Sequence, residues 1–289
     1  MCRILYTVCN YTFNMIDTHV HFWKYNKIKD AWISDEMKLL QKDFLPHDLK
    51  LVLEENKVNG VIAVQADQSE NENEFLMDLS KKNSLIRGIV GWVDFQNENI
   101  ENKLIYYSKF PVIKGFRHIV QGESNGFLKN GNFLRGIELL QKYNFTYDVL
   151  IYENQLSEAI EFVNKFPEQK FIIDHCAKPD IRNGSIDKWK SSMEEISKNK
   201  NVYCKLSGLT TEAHWNTWQE KDFYPYLDVV FKNFGTDRLF FGSDWPVVLI
   251  SGGYFKWKTL LQNYMSDLSM EEKEKVFEKN AIEFYNLKK

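Results

Sequence analysis

Two imidazoles separated by one residue close the first apolar run of the chain, Ile16-Asp17-Thr18-His19-Val20-His21-Phe22. In a β-strand successive side chains alternate faces, so His19 and His21 point the same way. Two ring nitrogens aimed at one point suit a metal ion, or the negative oxygen that forms when a carbonyl is attacked. Other polar groups close apolar runs in the same manner. His175 ends Phe171-Ile172-Ile173-Asp174-His175, Asp244 follows Leu239-Phe240-Phe241-Gly242-Ser243, and Arg117-His118 follow Phe116. A carboxylate such as Asp244 can take a proton from water while imidazoles polarise the carbonyl that water attacks. Three imidazoles and one carboxylate could also hold a single Zn²⁺ and leave a position open for water. Arg117 could anchor a carboxylate or a polarised carbonyl through paired hydrogen bonds, or close the site as a salt bridge. His118 could bind substrate or brace its surroundings.

Such a constellation needs elements that bring distant residues to one rim. Short β-branched or aromatic runs recur at Ile16–His21, Val58–Gln65, Ile86–Asp94, Val112–Ile119, Phe145–Ile151, Lys170–His175, Val202–Leu206 and Arg238–Ser243. They are nearly continuous apolar runs, as expected of parallel strands buried on both faces. Amphipathic stretches fill the gaps: a helix opening at Pro46, Asn130–Tyr143 with Phe133, Leu134, Ile137 and Leu140 on one face, and Ile186–Lys198 with Trp189, Met193 and Ile196. Ser269 and Glu272 have the spacing of a capping box ahead of Val276, Phe277, Ala281 and Phe284. Eight strands alternating with helices over 289 residues favour a (β/α)8 TIM barrel over an open, doubly wound sheet. The turn after the first strand carries neither GxGxxG nor a P-loop, so a nucleotide fold gains no support. In a barrel the chemistry lies at the C-terminal strand ends, where the polar groups above fall.

Composition narrows the partners. Lys and Arg number 37 against 40 Asp and Glu, with no basic stripe, which argues against nucleic acid or an anionic membrane. No segment approaches the ~18 consecutive apolar residues of a membrane span. Four scattered cysteines, Cys2, Cys9, Cys176 and Cys204, do not make a disulfide framework, and a reduced, cytoplasmic setting is expected. The partner expected is a small-molecule substrate; self-association into a homo-oligomer stays open. Residues 1–14 lack the long apolar core and cleavage site of a secretory signal. They read as an extension without function, with translation starting at Met15 and the barrel occupying 15–289.

The runs IDTHVHFW, KGFRHIVQ, FIIDHCAKP, VYCKLSGLTTEA and DRLFFGSDWPV, in that order, resemble the amidohydrolase-type lactonases. That family includes sugar lactonases and the hydrolase of 2-pyrone-4,6-dicarboxylate. The resemblance spans Ile16 to about Leu287 and implies a distorted TIM barrel centred on His19, His21, His175 and Asp244. It also implies the reaction: opening of an aldonolactone of a deoxy sugar, such as an L-fucono- or L-rhamnonolactone. The fifth strand has no histidine, and Lys114 lies short of the rim of the fourth. Two metals are therefore not expected; one zinc or none both fit. The rival activities are decarboxylation of an aromatic acid and, from another class, a catalytically silent barrel that binds a sugar acid.

Secondary candidates surround this core. Trp23, Trp215, Trp218 and Trp245 fall in expected rim loops, where aromatic faces could stack on a sugar ring, although core packing is the usual role of a tryptophan. Lys178, Lys205 and Gln65 could bind polar substrate groups, against a default of solvent-facing side chains. Asp17 and Asp174 neighbour the proposed ligands and could orient them. His214 could touch substrate, and His47 receives no role.

Overall fold

The computed structural model describes residues 14–288. The sequence reading of residues 1–14 thus falls, but for Asn14, outside the described residues. Eight parallel strands follow one another around the sheet in chain order: β1 Ile16–Val20, β2 Gly60–Val64, β3 Ile86–Gly91, β4 Ile113–Ile119, β5 Thr146–Leu150, β6 Phe171–Ile173, β7 Val202–Leu206 and β8 Leu239–Phe241. Closure is made at the rim. His21 N–H donates to the Trp245 carbonyl at 2.7 Å, and Asp244 N–H donates to the His19 carbonyl at 2.9 Å. The chain is a TIM barrel. All eight expected strands are present, and several end earlier than the apolar runs imply. His175 and Ser243 have left the ladder for the turns that carry the chemistry.

Helices cover the outside where their apolar stripes demand it. The helix expected from Asn130 runs over Gly131–Lys142. The Asn130 side chain caps the N–H groups of Asn132 and Phe133, and Phe133, Ile137 and Leu140 are buried. The helix over Asp187–Ile196 buries Trp189, Met193 and Ile196. Ser269 and Glu272 form the expected capping box.

Two apolar layers result from strand alternation. The larger lies between the strands and the helices. The smaller gathers Ile16, Ile62, Val64, Val90, Ile172 and Phe240 from the barrel interior, closed from beneath by Phe284, Tyr285 and Leu287 of the C-terminal segment. This floor excludes water below the site. The register of β1 shifts between Asp17 and Val20, a bulge that changes which face the strand presents. Ile16 thereby joins the interior floor, Val20 joins the outer layer, and His19 and His21 still face inward.

Candidate active site

His19 and His21 bring their Nε2 atoms to 3.2 Å. The Nδ1 of His21 lies 2.8 Å from the Val64 carbonyl oxygen. A carbonyl only accepts, so Nδ1 carries a proton, which leaves Nε2 as the nitrogen that faces the site. Asp244 Oδ1 lies 3.3 Å from that nitrogen and 3.8 Å from Nε2 of His19. His175 faces them from β6's end, its ring centroid 4.4 Å from that of His19, with Nδ1 2.9 Å from Ser207 Oγ. All four residues are buried.

The backbone that delivers two of them is unusual. His175, Cys176, Ala177 and Lys178 have φ of 54°, 51°, 57° and 48°, and Asp244 has φ of 62°. Non-glycine residues in this left-handed region each carry a cost of about 1–2 kcal/mol, retained where the surrounding structure enforces it. The turn after β6 swings His175 back over the mouth instead of letting it follow the strand.

Burial and neighbours set the charges. Burial holds the His19 imidazole well below its ordinary range and pushes His175 down to about 4, so both are neutral near pH 7. Burial alone would raise the Asp244 carboxyl, but the imidazoles of His175, His21 and His19 overcome it and hold the group below the usual carboxylate range. Asp244 is therefore an ionised acceptor beside the neutral imidazoles of His19 and His175.

A charged layer supports these residues from below. Arg117 Nη1 donates to Asp174 Oδ2 at 3.0 Å and lies 3.2 Å from His19 Nε2, and Nη2 donates to both oxygens of Gln65. The Lys205 ammonium donates to Asp148 and lies 3.1 Å from Asp174 Oδ1 and 3.4 Å from His19 Nδ1. Burial would raise Asp174 too, yet Lys205, His19 and Arg117 hold it well below the ordinary range. Asp148 is pushed up by burial, to about 6, against the pull of Lys205.

One sequence family model, of the amidohydrolases, matches residues 16–287. This chain belongs to the amidohydrolase family. It is a hydrolase, and among its relatives the L-fucono-1,5-lactonase of Burkholderia multivorans is 32% identical over 94% of this chain and 96% of that protein. The L-rhamnono-gamma-lactonase of Scheffersomyces stipitis is 28% identical over 62% of this chain and 61% of its own. A crystal structure of an amidohydrolase from Burkholderia multivorans with bound zinc superposes with a TM-score of 0.92 at 32% identity, covering 96% of this chain and all (100%) of the other.

The donor set of this amidohydrolase fits one divalent metal. A tetrahedral Zn²⁺ with N and O ligands at ~2.0–2.1 Å separates its ligand atoms by about 3.3–3.4 Å. The three edges between His19 Nε2, His21 Nε2 and Asp244 Oδ1, at 3.2, 3.3 and 3.8 Å, approach that spacing. A second grouping, His19 with Asp174 and His175, also has its ligand atoms within 4.8 Å. There Asp174 is already engaged by Arg117 and Lys205. The first grouping is the better metal site.

Several sequence expectations about the amidohydrolase rim need correction. Trp23 and Trp245 do not present open faces: Trp23 packs against Phe44 and Trp32 and donates to the Lys42 carbonyl, while Trp245 packs against Phe22 and Phe44. Trp218 is buried with its indole N–H on the Ser251 carbonyl, and Trp215 is half-buried. His118, one residue past the inward Arg117, faces the helix layer. Its Nδ1 accepts from the Trp92 indole, Nε2 lies 2.8 Å from Glu123, and the ring stacks on Phe127, so it braces and leaves no nitrogen for substrate. Lys205 is fully buried instead of facing solvent. Lys178 is half-buried at the turn after β6, 3.8 Å from Glu212. His47 and His214 are exposed. Lys114 donates to the Asn286 carbonyl at the far end of the barrel, which removes it as a metal ligand. Asp17 ties β1 to β8's end, accepting from the N–H groups of His19 and Ser243.

Sequence reasoning missed Asp148, Ser207 and Gly208. Asp148 was legible as a charge interrupting the apolar run Phe145–Ile151, and Lys205 does the same in β7. Gly208 has φ of 63°, and a Cβ there would lie 2.4 Å from His175 Nδ1. Gly208→Ala should therefore displace the imidazole, lowering turnover tenfold or more and stability by about 1–3 kcal/mol. Wild-type kcat in a folded Gly208→Ala variant would show that His175 has room the geometry denies it.

Proposed function

We propose that this amidohydrolase opens a sugar-derived lactone to its free acid, with L-fucono-1,5-lactone or an L-rhamnonolactone as substrate. The single observation carrying the reading is the Asp244 carboxylate set beside His19, His21 and His175 at the barrel mouth. The lactonase relatives supply the substrate class. A water molecule near Asp244 attacks the lactone carbonyl, forming a C–O bond as the carbonyl electrons move onto its oxygen. Asp244 accepts the proton that the water loses. His175, whose Nδ1 can accept from the Ser207 hydroxyl and so leave its Nε2–H free, donates to the developing oxyanion. As the carbonyl reforms, the bond to the ring oxygen breaks, and Asp244 returns its proton to that oxygen. The products are a carboxylic acid and a free hydroxyl, so atoms balance with water as the sole co-reactant.

His19, His21 and Asp244 would hold one divalent metal such as zinc, with His175 facing them. When bound, the metal supplies Lewis-acid polarisation of the carbonyl and lowers the pKa of a water ligand. A reduced, cytoplasmic setting fits the buried, free Cys176 and Cys204.

A panel of aldonolactone stereoisomers and ring sizes, followed by acid release against a pH indicator, tests the reading. Acid release from a 6-deoxy-sugar lactone well above the spontaneous rate is expected. Release of CO₂ from an aromatic acid, with every lactone inert, would replace lactonase by decarboxylase. Inertness toward both would leave a barrel that only binds.

A further inference from the structure

We infer that Arg117 sets the metal affinity of this site by competing with the ion for His19. The inference rests on the proposed His19–His21–Asp244 metal site and adds a control that this reading does not contain. A metal at that triangle needs the Nε2 lone pair of His19. In the structure Arg117 Nη1 lies 3.2 Å from that atom, in position to donate a proton into the same lone pair. The guanidinium is not free to withdraw. Nη1 is also bound by Asp174 Oδ2 at 3.0 Å, and Nη2 by the backbone and side-chain oxygens of Gln65.

The Nε of Arg117 is buried without a hydrogen-bond partner, so the side chain is held by its terminal nitrogens alone. Arg117 is 3% exposed and Asp174 is fully buried, and water therefore screens the guanidinium little. A permanent cation fixed beside a dication site repels the dication, and guanidinium cannot relieve this by losing its proton. Lys205, 3.4 Å from Nδ1 of the same imidazole, adds to that repulsion from the other side. His19 thus has two mutually exclusive uses. It accepts from Arg117 in the metal-free enzyme and binds the ion in the loaded one. Neighbours of metal ligands usually tighten binding by 10–100-fold; here the neighbour opposes it, and the metal is held exchangeably.

The test is a zinc titration in competition with a chromophoric chelator, independent of turnover, on wild type, Arg117→Met, Arg117→Lys and His21→Ala. Arg117→Met should bind zinc tenfold or more tightly, and Arg117→Lys, which keeps the charge, within about threefold of wild type. Equal or weaker binding by a folded Arg117→Met protein would overturn the competition. If Arg117→Met does not fold, Gln65→Leu, which removes one anchor of the guanidinium, should bind zinc severalfold more tightly, and unchanged affinity there would overturn it equally. His21→Ala should lose affinity. Binding equal to wild type in that variant would place the ion elsewhere, removing the metal site itself and separating that failure from a failure of the competition.

Discussion

Asp244→Asn should lower kcat on a sugar lactone by 10² or more while leaving the fold intact. The asparagine carboxamide matches the carboxylate in shape, and Asn tolerates the left-handed conformation that position 244 adopts, with φ of 62°. The backbone bonds that hold the loop, Asp244 N–H to the His19 carbonyl and Val248 N–H to the Asp244 carbonyl, involve no side chain. What disappears is the capacity to take a proton from water, and general-base assistance typically contributes 10²–10⁴-fold. A metal bound nearby would also lose an anionic ligand, which adds to the loss. Measured kcat within threefold of wild type, in protein with an unchanged melting curve, would remove Asp244 from the role of base.

Lys205→Met carries the largest expected cost in stability. The ammonium is fully buried, bound to Asp148 and 3.1 Å from Asp174 Oδ1. Removing one partner of a buried ion pair leaves uncompensated charge and costs about 3–5 kcal/mol, a fall in Tm of roughly 10 °C for a chain this size. Asp148 already sits near 6, so much of this cost is relieved by protonation as the pH falls. The sign follows from linkage. Removal of Lys205 raises the Asp148 pKa further, so the native variant binds protons that the unfolded chain does not, and its stability rises as pH falls through that window. Adding Asp148→Asn to Lys205→Met should recover part of the loss, because an amide there needs no counter-ion. Thermal melts of the two single variants and the double variant give the coupling. A Lys205→Met protein as stable as wild type would show that the buried layer is not held by charge pairing.

Most of the barrel was readable because its signals are local. Eight apolar runs, a Ser269–Glu272 cap and apolar stripes such as Phe133, Ile137 and Leu140 each express a period or a cap within a few residues. The H-x-H pair was readable for the same reason, since alternation alone puts His19 and His21 on one face. The strand ends were overextended at His175 and Ser243 because nothing nearby announces a left-handed turn. Four consecutive non-glycine residues adopt it only because the packed mouth requires it. The bulge in β1 was hidden too, as it follows from how β1 must meet both the floor and the rim.

The errors cluster where role depends on what lies across the barrel. His118 and Arg117 are adjacent in sequence, yet one faces outward to Glu123 and Phe127 while the other faces inward to His19 and Asp174. Trp23 and Trp245 lie next to the site in sequence but turn into an aromatic cluster with Phe44. Lys205 looks like an ordinary polar residue until Asp148 and Asp174 are brought to it by neighbouring strands. Pairing of this kind is set by closure of the barrel and leaves its trace only as charges interrupting apolar runs.

The crystal structure of Asp244→Asn soaked with L-fucono-1,5-lactone would test the account most directly. The unopened lactone should lie in the barrel mouth, its carbonyl carbon facing the residue 244 side chain and its carbonyl oxygen directed toward His175. A lactone bound elsewhere, or one whose carbonyl points away from residue 244, would contradict the assignment of this site and of its base.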